Sequence, residues 1–406
     1  MPHSMKFCFL FAFLGLSLFS LNPSHAQRFP DRAVTYTTFQ NQRIRVYPWT
    51  GNYVALMTLS KRYNAKTMRK IVGTLDRAYR YYWRVTGRHP QRGKHYRGKL
   101  SIVEVHKTCG AGCGYLGSTG IELLTSSFRK LYRGVHKHNH YDQVLFYELG
   151  RNFWFYGKQA TAGAVTTGFA VFMRFRSMEA AGVKGGPFGT MSFRRFKTTV
   201  RDLLKVYRKG NYTWRNTVGS GKSPGWGGGT DMFASFMMHL TKQFGGDRFL
   251  ATFWQTLGKL PRKTSSLDAV NNLATAAVAA GGWPAFQRLR RWRWPVSKAS
   301  VVRKLRSLQR GVQKRVRTLG GIHLNRYCQW YTKDSHARAI LLDARGNPTR
   351  NPRGKGMAYR WKCKTRRGKL LGMNLNAACQ RQYAIRGAFA KATNPSYAYS
   401  WKCFRR

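Results

Sequence analysis

The chain has 406 residues, of which 43% are hydrophobic and 14% aromatic. This composition excludes a disordered polycation, because disordered chains are poor in apolar and aromatic residues. Lys and Arg number 73 against 13 Asp and Glu, which gives a formal net charge of +60. A field of this size attracts anionic polymers. We therefore expect an anionic polysaccharide or another extracellular polyanion as the partner, with non-specific nucleic-acid binding as the alternative.

The first 26 residues have the pattern of a secretory signal peptide. Lys6 precedes an apolar run over 7–21, and small residues at 24–26 form a cleavage site. The run is short for a membrane span, and no later stretch is long and apolar enough to be one. Cleavage removes Cys8 and leaves an even number of cysteines, which suits disulfides in an oxidising compartment. We expect a secreted protein.

The body of the chain, 27–296, is predicted to begin with strands and to end with helices. The pattern indicates two strands over 33–51 with a turn near Asn41, a helix over 53–86, strands at 100–105 and 120–124, and a short helix or turn over 126–132. Further helices are predicted over 164–178 and 192–207, from Thr230, from a cap at Asp247, and over 266–280 and 284–292. Early strands followed by many helices are typical of an α+β fold.

The C-terminal segment, 321–406, contains an internal repeat. Residues 321–329 match 372–380, and each copy ends on Trp-Lys-Cys. Two cysteines per copy predict a small disulfide-stapled module built twice from one unit. The expected pairs are Cys109–Cys113, Cys328–Cys363 and Cys379–Cys403, with a crossed pairing between the copies left open.

A strongly basic helix is predicted over 297–320, between the body and the module. Val301, Leu305 and Leu308 recur at helical spacing among many Lys and Arg residues. This pattern favours a solvated connecting helix with one packed stripe. The alternative is an amphipathic helix that contacts an anionic surface.

The stretch 140–157 reads HYDQVLFYELGRNFWFYG, and its apolar spacing predicts a helix with an N-cap at Asp142. At its centre, 147–151 reads Y-E-L-G-R, which differs from the zinc-peptidase motif H-E-x-x-H at the two histidines. Together with the order of elements and the later T-G-F-A at 167–170, this stretch resembles the gluzincin-type zinc metallopeptidases.

The resemblance implies a zincin-like fold for the body, with the strand at 120–124 as the edge strand. It places Tyr147, Arg151 and Thr167 at the three ligand positions, and only Glu148 keeps the residue type of its family role, that of general base. A phenol, a guanidinium and a hydroxyl are poor zinc ligands. We therefore expect no zinc and no other cofactor, and we expect Arg151 to supply positive charge beside Glu148, one helical turn away.

Other residue groups are candidates for separate sites. His136, His138 and His140 alternate in a predicted extended loop and form an alternative metal site. Glu104 and Glu122, with Glu148, form a candidate carboxylate set for acid–base hydrolysis. Aromatic and basic residues in close succession suit polyanion binding, namely Trp330 and Tyr331 in the repeat, and Arg291 and Arg293.

The leading hypothesis is a secreted, peptidase-like pseudoenzyme that binds extracellular anionic glycans. One alternative is a peptidase or glycan-cleaving hydrolase that uses Glu148 at a non-standard site. The other is a cationic antimicrobial or membrane-active protein.

Overall fold

A computed structural model describes residues 29–160, 163–315 and 317–405. The chain divides into two compact units, Met1–Val301 and Val302–Arg406. The signal peptide predicted over 1–26 lies outside the described residues. No helix within the described ranges has the length and apolar character that a membrane crossing requires.

Both helices and strands build the first unit, which confirms the α+β class. Its strands are β1 (Val34–Thr37), β2 (Arg43–Thr50), β3 (Val54–Thr58), β4 (His95–Tyr96), β5 (Lys99–Val105), β6 (Gly112–Gly114), β7 (Ile121–Leu124), β8 (His140–Tyr141) and β9 (Lys184–Gly185). Its helices are α1 (Ala65–Thr86), α2 (Thr125–His138), α3 (Val144–Asn152), α4 (Ala164–Ala180), α5 (Phe193–Lys209), α6 (Gly229–Gln243), α7 (Gly246–Leu257) and α8 (Ser266–Arg291). Helix α9 (Lys298–Arg315) runs through the division between the units.

A mixed seven-stranded sheet forms one layer of this unit, in the order β1-β2-β3-β5-β7-β6, with β4 paired to β5. Strands β3, β5 and β7 are parallel to one another, and the remaining pairs are antiparallel. The strands at the two ends of this order are β1 and β6, and the prediction that 120–124 forms the edge is wrong, since β7 lies between β5 and β6. Helices α3 and α4 pack closely, and the buried rings of Trp154, Tyr156, Phe169 and Trp254 contact one another in the core.

The single helix predicted over 53–86 is wrong in its first third. Residues 54–58 form β3, and all five are buried. In a strand that is buried on both faces, apolar and polar residues do not alternate. Its continuous apolar run therefore cannot be distinguished from part of a helix by periodicity. Helix α1 starts only after Asn64, whose side chain accepts a hydrogen bond from the Thr67 N–H at 3.0 Å.

Three helix ends also differ from their predicted positions. The central helix covers only 144–152 of the predicted stretch, and Asp142 lies before its first turn, accepting from the Val144 N–H at 2.9 Å. Asp247 is in the first turn of α7 and is not its cap. The basic helix ends at Arg315, and part of the linker predicted over 297–320 belongs to a strand of the module.

The second unit holds the repeat, in the elements β10 (Arg317–Gly321), α10 (Leu324–Thr332), β11 (Arg338–Leu341), β12 (Trp361–Lys364), β13 (Leu370–Leu371), α11 (Leu375–Tyr383), β14 (Phe389–Ala392) and β15 (Trp401–Arg405). Each copy has one helix, α10 or α11, tied by a disulfide to its own long strand, β12 or β15. Those disulfides are Cys328–Cys363 and Cys379–Cys403, and with Cys109–Cys113 in the first unit all three predicted pairs are confirmed.

The two copies exchange strands. One sheet has the order β11-β12-β13, although β13 leads into α11 of the second copy. The other has the order β10-β15-β14, although β10 leads into α10 of the first copy. Each three-stranded sheet is therefore completed by the strand that precedes the helix of the other copy.

Candidate functional site at the central helix

Helix α3 lies between the sheet edge and α4, and it carries Glu148 toward the sheet. A Cβ added at Gly150 would lie 2.9 Å from the Ala170 Cα, so glycine is needed for the close crossing of α3 and α4. The Tyr82 hydroxyl donates to the Phe146 carbonyl at 2.6 Å and holds α1 to the same turn. The central helix is thus fixed from two sides.

Strand β6 covers Glu148. A Cβ at Gly112 would lie 3.1 Å from the Glu148 Cγ, and one at Gly114 would lie 3.0 Å from Oε2. Only glycine at these positions lets the strand approach the carboxyl group, and the Cys109–Cys113 disulfide closes the loop that leads into the strand. Glu148 is 4% exposed. Burial raises the pKa of Glu148 to about 7, while Arg151 and the Gly114 backbone N–H act in the opposite direction.

Arg151 makes the contact expected of a charge partner. Its Nε lies 3.5 Å from the Glu148 Oε2 and donates to the Gly114 carbonyl at 3.1 Å. One guanidinium therefore joins the helix, the carboxyl group and the edge strand. Tyr147 is half-buried one turn away on the same helix, and Thr167 is half-buried in the first turn of α4.

These side chains do not fit a zinc ion. The fixed guanidinium of Arg151 repels a dication, and the other two groups, those of Tyr147 and Thr167, are neutral hydroxyls. Among the residues that the structure describes, no group of three or more His, Cys, Asp or Glu side chains could hold a metal ion.

Sequence reasoning missed a buried cation near the half-buried Arg151, namely Arg174 on α4. It is 6% exposed, its Nη1 donates to the Gln143 side chain at 2.6 Å, and its Cζ lies 5.8 Å from the centre of the Tyr147 ring. The guanidinium also lies 4.5 Å from the centre of the Phe196 ring. Burial lowers the pKa of Arg174 to about 10, so it stays charged at neutral pH. Arg174 lies inside the apolar stretch 164–178, and a cation in such a stretch could have indicated a buried charge.

The alternative sites predicted from sequence are not assembled. His136 and His138 lie in the last turn of α2 and not in an extended loop, and the His136 Nδ1 is 2.9 Å from the Thr67 hydroxyl. Glu122 pairs in register with Val103, so Glu122 and Glu104 point to opposite faces of the sheet. Glu122 accepts from the Phe39 N–H, and Glu104 accepts from the Leu59 N–H. The three glutamates do not form one carboxylate set.

The predicted binding residues have different environments. Trp330 and Tyr331 are 40% and 49% exposed, but the Arg381 guanidinium lies 4.5 Å from the centre of the Trp330 ring and covers one face of it. Arg291 is exposed. Arg293 donates to the Gly210 and Tyr212 carbonyls, so it holds a loop in place.

A basic pocket of about 280 Å³ lies where the first half of α1 meets β8 and β9, and we call it the Arg77 pocket. Its cations are Arg69, Lys70, Arg77 and Lys184, and no carboxylate is among its lining residues. Arg77 is held in place, because its Nε donates to the Ala181 carbonyl at 3.1 Å and its Nη2 donates to the Thr74 hydroxyl at 2.9 Å. Such an arrangement of several cations around one fixed guanidinium suits a sulfate or carboxylate group.

Fold and site together define an α+β protein in which a buried glutamate is paired with a half-buried arginine. No protein-family model matches the chain. No curated protein matches it. Among solved structures it is similar to a functionally unknown conserved protein from Bacillus anthracis str. Ames, with a TM-score of 0.38 and 10% identity. A mutant form described in the same words gives a TM-score of 0.37 and 8% identity. Each alignment covers 63% of this chain and 53% of the other, so the chain spans about half the length of those proteins. A likeness this distant defines neither fold nor function.

Proposed function

We propose that this is a secreted, peptidase-like protein with a zincin-like body, that it works without zinc, and that it binds extracellular anionic glycans. Three disulfides and the absence of a membrane-spanning helix among the described residues are compatible with an extracellular protein. The zincin-like assignment is supported by a mixed sheet whose antiparallel edge strand lies on a helix bearing a glutamate. The pseudoenzyme assignment is supported by Arg151, which occupies a ligand position and pairs with Glu148.

The Arg77 pocket is the observation that carries the binding function. Its four cations face no carboxylate in the lining, and the chain as a whole has a large excess of positive charge. Long-range attraction brings a polyanion to the surface, and the pocket offers a place where one acidic group is held by several donors.

We expect the protein to be retained on immobilised heparin well above physiological salt. Replacing Lys70 and Lys184 together by Gln should weaken heparin binding by about tenfold, because two direct charge contacts are lost. The matched control replaces Lys61 and Lys66, two exposed lysines outside the pocket, by Gln. It removes the same charge and should have a much smaller effect. Elution of the wild-type protein near physiological salt would contradict the binding function. An equal loss of heparin affinity in both variants would contradict the assignment of the Arg77 pocket as the binding site.

The second candidate is a hydrolase that uses Glu148, and the raised pKa of this group is the observation that favours it. A carboxyl group with a pKa of about 7 is suited to general acid–base catalysis near neutral pH. The cover formed by β6 is the observation against it, since a substrate would have to displace that strand.

Turnover of peptide and glycan substrates by the wild-type protein and by Glu148→Gln decides between the two candidates. We expect no turnover that depends on Glu148. Hydrolysis by the wild-type protein that disappears in a folded Glu148→Gln variant would establish the hydrolase instead.

A further inference from the structure

The repeat module contains a cavity of about 460 Å³, built from both copies. This volume lies within the range of about 300–1,000 Å³ that small-molecule sites occupy. It differs from the Arg77 pocket in chemistry, because none of its lining residues carries a charge. The neutrality is notable in a module whose sequence over 321–406 has only Asp334 and Asp343 as acidic residues among many Lys and Arg.

Three aromatic residues line the cavity, namely Tyr359, Trp361 and Trp401. The Trp401 ring is fixed, because its indole Nε1 donates to the Ala358 carbonyl at 2.6 Å. The Tyr359 ring stands edge-on to it, with ring centres 5.6 Å apart and an angle of 88° between the planes. Tyr359 is 62% exposed, so a large part of its surface is open to a ligand.

Two asparagines supply oriented polar groups at the same cavity. The Asn376 Oδ1 accepts from the Ala390 N–H at 2.8 Å, and the Asn374 Oδ1 accepts from the Ala377 N–H at 3.0 Å. These bonds fix both amide groups with Nδ2 as the remaining donor. Neither Nδ2 has a protein acceptor within the described part of the chain.

We propose that this cavity binds a neutral carbohydrate, one or two pyranose rings of a glycan. A pyranose has an apolar C–H face that packs on an aromatic ring and a rim of hydroxyl groups that accept hydrogen bonds from amides. The cavity offers both kinds of partner side by side, with Met373 and Leu375 as further apolar contacts. A charged ligand would find no countercharge in the lining. The site is independent of the polyanion binding proposed above.

The internal repeat provides a matched control. Tyr399 occupies in the second copy the place of Tyr359, is 61% exposed, and packs against Trp361 with ring centres 5.3 Å apart. It is not among the residues that line the cavity. Trp361, which Tyr399 contacts, does line the cavity, but its indole Nε1 is held by the Ala398 carbonyl at 2.8 Å and keeps that bond without the Tyr399 ring. A Tyr399→Ala variant therefore makes the same chemical change at an equivalent ring that does not itself line the cavity.

Titration calorimetry of the full-length mature protein with cellotetraose and with chitotetraose, at 0.15 M and 1 M NaCl, tests the proposal. We expect at least one of these neutral oligosaccharides to bind with a Kd that changes less than about twofold between the two salt concentrations, since ion screening does not weaken uncharged contacts. Tyr359→Ala should weaken binding about tenfold, while Tyr399→Ala should leave the Kd within about twofold.

Absence of binding by both sugars, or equal Kd values for the two alanine variants, would overturn the proposal. Binding of the dipeptide Trp-Trp without any sugar binding would also overturn it, in favour of a peptide site. Heparin retention is measured separately and depends on salt, so failure of either proposal is recognised without the other.

Discussion

At the scale of single residues, the Glu148–Arg151 pair shows how a buried carboxyl group is accommodated beside a single guanidinium. A dication in a ligand set holds neighbouring carboxylates ionised, but a single guanidinium at 3.5 Å offsets only part of the cost of burying a charge. The pKa of Glu148 is therefore raised, because the cost of burial exceeds the stabilisation by Arg151. Arg174 adds a second positive group near Tyr147, so the region combines one carboxyl group with two guanidiniums.

The ionisation of Glu148 should be visible in the pH dependence of the free energy of unfolding. A carboxyl group whose pKa is raised by folding contributes stability that is complete below its unfolded pKa of 4.5 and is lost as the pH rises to about 7. The loss for this group is at most about 3 kcal/mol. Glu148→Gln keeps a neutral side chain at every pH, so it should match the wild type at pH 4.5 and be more stable at pH 8.

Urea unfolding of both proteins at the two pH values measures this difference. Glu104 and Glu122 also have raised pKa values because they are buried, and they contribute the same trend to both proteins. The comparison therefore isolates Glu148. A variant that is less stable than the wild type at pH 8 would show that the carboxylate is ionised and favourably paired.

At the scale of elements, the crossing of α3 and α4 positions every residue of the site. Gly150→Ala should destabilise the protein by about 2 kcal/mol, because the new methyl group would lie 2.9 Å from the Ala170 Cα and must push the helices apart. The control is Gly73→Ala in α1, where the nearest neighbouring atom to the new Cβ is 3.9 Å away.

That control should stabilise the protein by about 0.5–1 kcal/mol, since alanine is the better helix former. Thermal or chemical unfolding of the two variants gives both values. A neutral Gly150→Ala variant would mean that α4 moves freely relative to α3, which would remove the argument that the site is rigid.

Much of the body could be predicted element by element, for identifiable reasons. The helices from α4 to α8 have clear starts and stops, such as the Ser192 cap, whose hydroxyl accepts from the Arg195 N–H, and the break at Gly282. Strand β3 was missed because both of its faces are buried. Strand β6 was missed because Gly-Cys-Gly has little strand propensity, and it forms only where the Cβ-free backbone can lie on Glu148.

The site itself was predictable only in part. The Arg151–Glu148 contact follows from helix geometry, since residues three apart share a face. The closure of the site by β6 and the approach of Arg174 depend on contacts between distant segments, which periodicity does not reveal. The repeat indicated the disulfides within each copy, but it did not indicate the exchanged strands.

At the scale of the whole molecule, the net charge of +60 has a consequence for stability as well as for binding. Like charges repel one another in the compact state. Adding NaCl from 0.01 M to 0.15 M shortens the screening length from about 30 Å to about 8 Å. We expect the Tm to rise across this range.

Differential scanning calorimetry at fixed pH measures this effect. A Tm that is constant or falls between the two salt concentrations would show that favourable local ion pairs, such as Arg176–Asp247, outweigh the repulsion. Heparin binding would then be attributed to local contacts and not to the electrostatic field of the net charge.

The strand exchange in the C-terminal unit determines how that unit can be divided. A chain cut between the two copies would leave each fragment with a two-stranded sheet and a single unpaired strand, β10 or β13, whose partner is on the other fragment. Two-stranded sheets are marginal on their own. We therefore expect that neither copy folds on its own and that the two halves become native only together, so that the duplicated segment unfolds as one cooperative domain.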